Sequence, residues 1–268
     1  MNESAQKKTP DPFVSGITIE EYGQVTMTHA EVVTEFRSFS RMEVWRLVEP
    51  VVREVFPPET PTGIVDEGKR IPLARFAEKH FKPSNHLRVY IGDSVICTSN
   101  VAAGDHSLID FEGVPAGTED RWVSIFESHE SFSHGWAFDW DFYRRQNQND
   151  PKLYAILHGD PSGLPLVNNG LPAPLNRMVI DTSNNPGRRI VRKGYVEAVG
   201  STMWFSEKLL RRLKLSPDEL LSQPWLNAEQ QGNVIRIQVQ EQPFTSAEGI
   251  AGELQDRLRE FLFGRATP

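Results

Sequence analysis

The segment that most constrains the fold runs from residue 233 to residue 242, and within it apolar and polar side chains alternate strictly from Ile235 to Gln240. Three apolar residues share one face and three polar residues share the other: Ile235, Ile237 and Val239 against Arg236, Gln238 and Gln240. Successive side chains of a β-strand point to opposite faces, so the pattern predicts a strand that is buried on one side and wet on the other.

Helix boundaries are marked by capping signals. Ser40 followed by Glu43 predicts a capping box at the start of one helix, and Ser216 with Glu219 predicts a second. Pro50 lies inside the first of these helices and predicts a kink or break, because it removes a backbone donor. A third helix is predicted from a Thr245 capping box to Gly264, with a buried stripe of five residues: Ile250, Leu254, Leu258, Phe261 and Leu262.

Further strands are predicted from β-branched and aromatic enrichment. They lie within residues 17–36, in a hairpin around Gly92-Asp93, from Arg121 onward in "RWVSIFES", and on both sides of a turn near Lys193-Gly194. Strands and helices alternate without regular βαβ order. The predicted class is therefore α+β, with a mixed or antiparallel sheet packed against amphipathic helices.

The chain divides into four stretches by composition. Residues 1–15 are expected to be a flexible tail, and residues 16–158 an acidic and aromatic α+β region. Residues 159–187 hold a high density of Gly and Pro, which indicates a long loop or linker. Residues 188–268 form a C-terminal α+β region, expected to make one compact unit with the first.

The expected compartment follows from what the sequence lacks. One cysteine, Cys97, cannot form an internal disulfide, which fits a reducing environment. No apolar segment resembles a secretory signal, and no apolar run approaches the roughly 20 residues of a membrane span. We expect a cytoplasmic protein without a membrane partner.

Negative charge is concentrated in one window. Residues 89–143 contain ten acidic side chains against Arg121, a net charge of −9 in a chain whose total is −7. A nucleic-acid binder shows the opposite bias, a basic stripe matched to phosphates. The window therefore favours a basic partner, a metal, or simply a solvated acidic face.

Two motifs in "FESHESFSHGWAFDWDFY" invite a catalytic interpretation. His129 and His134 are five residues apart, whereas the zinc helix motif needs a spacing of four, so neither a helix nor a strand directs both to one metal. Asp139 and Asp141 would share one face of a strand, with aromatic residues on the other face. Paired carboxylates can serve acid–base chemistry, but no third group accompanies them.

Other catalytic signatures are absent from the sequence. No phosphate-binding glycine loop and no G-x-S-x-G elbow is present, and Cys97 has no evident catalytic partner. We therefore expect a protein that is not an enzyme and needs no cofactor or metal.

The C-terminal part resembles the bacterial immunity protein 52 family. The resemblance covers residues 195–263 and rests on three features: Met203-Trp204-Phe205 before a short helix, Pro224-Trp225, and the strand Val234–Val239 before a closing helix. It implies a cognate antitoxin for a polymorphic toxin, often a nuclease of restriction-endonuclease fold delivered by type VI secretion.

The function expected from the sequence is therefore binding and neutralisation of a secreted nuclease toxin with a basic surface. Acids and aromatics of the negative window are the candidate contact residues: Asp110, Glu112, Glu119, Asp120, Glu130, Trp136, Asp139, Trp140 and Asp141. Two alternatives remain open. One is a metal-dependent hydrolase that uses the His and acid residues of 129–141, and the other is an effector-binding adaptor or chaperone.

Overall fold

A computed structural model describes residues 27–66, 69–72 and 87–265. The predicted tail at 1–15 and the first part of the strand prediction at 17–36 lie outside these residues. The described part contains seven α-helices: α1 (Arg41–Val55), α2 (Glu119–Glu127), α3 (Trp140–Asn147), α4 (Pro151–His158), α5 (Glu207–Arg212), α6 (Pro217–Leu221) and α7 (Gly249–Phe263).

Fourteen strands accompany the helices in the described residues. They are β1 (Met27–Glu35), β2 (Thr62–Asp66), β3 (Lys69–Pro72), β4 (Arg88–Ile91), β5 (Ser94–Val101), β6 (His106–Pro115), β7 (Phe132–Phe138), β8 (Leu166–Asn168), β9 (Met178–Ile180), β10 (Ile190–Arg192), β11 (Tyr195–Glu197), β12 (Thr202–Ser206), β13 (Asn227–Gln231) and β14 (Val234–Gln238).

Ten of these strands form one large sheet in the order β13-β14-β12-β7-β1-β6-β5-β4-β2-β3. Every neighbouring pair is antiparallel. Strand β7 pairs with β1 on one side and with β12 on the other, so strands from both halves of the chain share this sheet. The α+β class with an antiparallel sheet is confirmed.

Helices cover both faces of the sheet and create two apolar cores. On the first face, α1 and α2 pack against inward side chains of β1, β4, β5 and β6, with Trp122 and Phe126 buried at the centre. On the second face, α5, α6 and α7 pack against β7, β12 and β14, with Trp136 and Phe205 buried. Because both faces are covered, β7 carries buried side chains in both directions and lacks polar alternation.

Several local predictions are confirmed. The capping boxes of Ser40 with Glu43 and of Ser216 with Glu219 are both present. The hairpin around Gly92-Asp93 joins β4 to β5, and the turn near Lys193-Gly194 joins β10 to β11. Strand β14 directs Ile235 and Ile237 into the second core, as its alternation predicts.

Other local predictions are wrong. The predicted break at Pro50 does not occur, because helix α1 continues through this residue to Val55. The segment after Arg121 is helix α2, because Trp122, Val123 and Phe126 lie on one helical face against the core. Helix α7 begins after Glu248 without a side-chain cap, and Ile250 is exposed.

The paired-carboxylate strand at 139–141 is also wrong. Strand β7 ends at Phe138, and the Asp139 carboxylate accepts a hydrogen bond of 2.7 Å from the Phe142 N–H as the N-cap of α3. An N-cap Asp satisfies backbone donors that the helix leaves free. Asp139 and Asp141 therefore belong to a helix start, where they do not share the face of a strand.

Candidate functional site

A polar concavity lies where the start of α2 meets β12 and β14. The cleft has a volume of about 450 Å³. Three stretches of chain line it: residues 116–120 before and at the start of α2, residues 201–204 of β12 with the chain before it, and residues 236–243 of β14 with the chain after it. The two sides of the cleft come from opposite halves of the sequence.

Asp120 connects these stretches through its carboxylate. Its Oδ1 accepts a hydrogen bond of 2.7 Å from Nε of Arg236 and one of 3.0 Å from the indole Nε1 of Trp204. Arg236 is largely buried and also pairs with Glu229 at 3.4 Å. Because Arg236 is held by two carboxylates, its positive charge is neutralised within the protein.

Glu127, at the end of α2, adds a further acidic group to this side of the molecule. Burial, with a contribution from the Asp120 carboxylate and against the opposing effect of Arg236, raises the pKa of its carboxyl to about 7. Its Oε1 is buried without a hydrogen-bonding partner among the described residues. The group therefore changes charge near neutral pH.

Carboxylates outnumber cations around the cleft. Among the described residues that line it, Glu119, Asp120 and Glu241 are acidic and Arg236 is the cation. A concave site with excess carboxylates is suited to a guanidinium or ammonium group, since charge-assisted hydrogen bonds to carboxylates are among the stronger ones. The sequence singled out Glu119 and Asp120 as contact residues but not Arg236, Glu241 or Glu127. Arg236 could have been found on the wet face of the predicted strand β14.

A second polar cluster includes Asp110 and lies on the second face of the sheet. Glu31 of β1 is 2% exposed and forms a bidentate ion pair with Arg189 at 2.7 and 3.0 Å. Burial and the neighbouring Asp110 raise the pKa of Glu31 well above its ordinary range. Arg189 also donates a hydrogen bond of 3.0 Å to the hydroxyl of Tyr143. This cluster fastens the chain after β9 to the central sheet.

Cys97 lies beside that cluster, with Sγ 3.5 Å from a carboxylate oxygen of Asp110 and from one of Glu112. Burial raises the pKa of the thiol, and the two carboxylates raise it further. A thiol that stays protonated is a poor nucleophile. The arrangement therefore keeps Cys97 chemically inert.

The nine residues predicted to contact a partner do not lie on one face. Glu119 and Asp120 line the cleft, Asp110 and Glu112 lie on the opposite face of the sheet, and Glu130 is exposed in the turn after α2. Three of the remaining four lie around the start of α3: Asp139, Trp140 and Asp141.

Trp136 has its place in the second core and is 1% exposed, so it offers no surface to a partner. Trp140 is half-buried and stacks on His29, with ring centroids 5.0 Å apart. Of the two predicted aromatic contacts, Trp140 alone retains accessible surface.

The histidines of the same segment are separated by the fold. His134 is fully buried in β7, and its Nε2 lies 3.0 Å from the carbonyl oxygen of Val196. His129 is exposed in the turn after α2 and bonds through Nδ1 to the Ser131 hydroxyl. Within the described ranges, no three His, Cys, Asp or Glu side chains are arranged to hold a metal ion. Among the same residues, no helix is both long and apolar enough to span a membrane.

Comparison with known proteins shows a likeness of fold. No protein-family profile matches the chain, and no curated protein matches it in sequence. A solved structure from Pseudomonas aeruginosa, the T6SS protein PA0821, is similar at a TM-score of 0.50 and 12% sequence identity, covering 89% of this chain and 72% of that one. At this identity the likeness shows a shared fold, and membership of the immunity protein 52 family stays a prediction.

Proposed function

We propose that this chain is a non-enzymatic binding protein associated with type VI secretion, and that it neutralises a cognate nuclease toxin. The cleft carries the proposal, because it collects Glu119, Asp120 and Glu241 around one neutralised arginine. A protein that cuts DNA needs a basic surface to hold phosphates. Such a surface presents the Lys and Arg side chains that this cleft is suited to accept.

The fold likeness supports the type VI part of the proposal. The similar solved structure is described as a T6SS protein, and nothing in that description states an immunity role. Immunity is proposed for this chain because the cleft is suited to a basic protein. Charge complementarity of this kind raises the association rate and disfavours wrong partners.

The hydrolase alternative loses its proposed site. His134 is buried against Val196, and Asp139 is used as a helix cap. The adaptor alternative predicts the same binding but leaves the toxin active, so an activity measurement separates it from neutralisation.

The experiment is co-expression of this chain with the protein encoded by the adjacent gene. We expect the adjacent product alone to degrade cellular DNA and stop growth, and the pair to grow. The variant pair Glu119→Lys and Glu241→Lys should lose protection. A double control, Asp93→Lys with Glu253→Lys, makes the same change in net charge at exposed sites outside the cleft and should keep it. A harmless adjacent product, or equal protection by both variants, contradicts the proposal.

A further inference from the structure

Helix α4 and the β8–β9 hairpin form an exposed apolar unit, which we call the arm (residues 150–181). Helix α4 buries none of its residues. Eight large apolar side chains of the arm are exposed, between 37% and 78%: Leu153, Ile156, Leu157, Leu166, Val167, Leu171, Leu175 and Met178. The sequence predicted only a loop or linker over 159–187.

The arm exposes a substantial apolar area. Burying a Leu-sized side chain removes roughly 60–120 Å² from water at about 25 cal/mol/Å², so eight half-exposed ones offer on the order of 250–500 Å². The largest apolar patch of a typical monomer has an area of this order and is often functional. The tip of the arm, residues 161–176, contains no charged side chain. Depletion of charge is typical of the centre of a protein interface.

The arm is held in one conformation by its own hydrogen bonds. The Asn169 side chain donates to the Leu175 carbonyl at 3.0 Å and accepts from the backbone N–H groups of Leu171 and Arg177 at 3.2 Å each. Arg177 pairs with Asp150 at 3.0 Å, and Asp150 also caps α4. A preorganised surface loses little entropy when it binds a partner.

The depression at the base of the arm adjoins the acidic cleft along the chain, since Pro243 lines the cleft and Thr245 lines the depression. The base of the arm and the chain at 245–248 line this depression, where Ile180 and Asp181 meet Thr245 and Glu248. Residues 241–243, immediately before that chain, line the cleft. Phe244 between them is buried. Residues 241–248 therefore connect the cleft to the arm.

We propose that the arm is the apolar part of the same toxin-binding surface whose charged part is the cleft, an inference that rests on the proposed function. The occupant is a protein with an apolar patch beside exposed Lys and Arg side chains. A symmetric contact between two copies through the arm would bring the two acidic clefts that adjoin the arms toward one interface, where like charges repel. An uncharged tip also lacks the cations that phosphates require.

The test measures the affinity of purified variants for the adjacent-gene nuclease at two salt concentrations. Ile156→Ser with Leu175→Ser removes two exposed arm side chains without disturbing the core. We expect about ten- to hundredfold weaker binding with an unchanged salt dependence. The matched control, Val191→Ser with Leu221→Ser, changes exposed apolar residues outside the arm and should bind like the native chain.

The outcomes separate the two proposals. If the native chain does not bind the nuclease, the proposed function fails and the arm inference fails with it. If the native chain binds and the arm variant binds equally well, the arm inference alone is overturned. It is also overturned if native chains sediment as a dimer that the arm variant dissociates, or if the arm variant loses binding to phosphatidylcholine–phosphatidylglycerol vesicles instead of the nuclease.

Discussion

Arg189→Met removes the cation that faces the buried Glu31 carboxylate. Glu31 is 2% exposed, and the guanidinium contacts both of its oxygens at 2.7 and 3.0 Å. Removing one partner of a buried pair leaves an uncompensated charge and costs about 3–5 kcal/mol. We expect this loss in the free energy of unfolding at pH 7.5, measured by urea titration with tryptophan fluorescence.

The stability lost in the Arg189→Met variant should become smaller as the pH falls. Burial and Asp110 raise the pKa of Glu31 above its value in the unfolded chain, so the folded state takes up a proton first as the pH falls. Without Arg189 the pKa of Glu31 rises further. As the pH falls, the variant therefore regains stability relative to the native chain by up to about 1.4 kcal/mol per pH unit. The double variant Glu31→Gln with Arg189→Met should recover at least half of the loss, because a neutral amide needs no counterion.

A variant of an exposed arginine is the control that separates the cost of breaking a buried ion pair from the cost of losing any arginine. Arg53→Met removes an exposed pair with Glu49, for which about 0.5 kcal/mol or less is expected. A cost below about 1 kcal/mol for Arg189→Met would refute the reasoning from a buried pair. An equal cost in the single and double variants would refute it as well.

Three further predictions concern titratable groups. Glu127→Gln should stabilise the chain by about 1 kcal/mol at pH 8, after allowance for solvent screening, and leave it unchanged at pH 4.5. The reason is that burial raises the pKa of Glu127 in the folded chain to about 7, so native stability falls as the pH rises from 4.5 to 7. Urea titration at pH 8 and at pH 4.5 checks this prediction. His134→Gln should make the free energy of unfolding less dependent on pH in acid. Burial lowers the pKa of His134 to about 3, so the native chain loses stability as the pH falls below 6.5. Between pH 6.5 and 5 the native chain should lose about 2 kcal/mol more than the variant. The Cys97 thiol, whose pKa burial raises, should react with a disulfide reagent at pH 8 at least about tenfold more slowly than in urea; equal rates would contradict its assignment as inert.

The sequence predicted those helices and strands that are determined by residues close together in the chain. A capping box such as Ser40 with Glu43 satisfies backbone groups three residues apart, so it can be seen in the sequence. The alternation of β14 could be seen because the strand has one apolar and one polar face, and the polar face carries Arg236. Helix α2 was mistaken for a strand because its aromatic and β-branched residues favour strands, while packing of Trp122 and Phe126 decides the structure.

The site could be predicted only in part, because it depends on distant residues meeting. Asp120 and Arg236 are 116 positions apart, and no local pattern records their contact. Residues 159–181 of the arm were taken for a loop or linker because Gly and Pro are dense there. The order of the arm comes from the hydrogen bonds of Asn169, which the sequence does not display. Trp136 was assigned to the surface because β7, covered on both faces, gives no alternation that separates inside from outside.

The most direct test of neutralisation is the activity of the purified adjacent-gene nuclease titrated with this chain. We expect DNA cleavage to fall to background as the native chain reaches saturation. The Glu119→Lys and Glu241→Lys variant should need a much higher concentration, with a weaker dependence on salt. Full cleavage by a nuclease saturated with the native chain would contradict the account, because it would show binding without neutralisation.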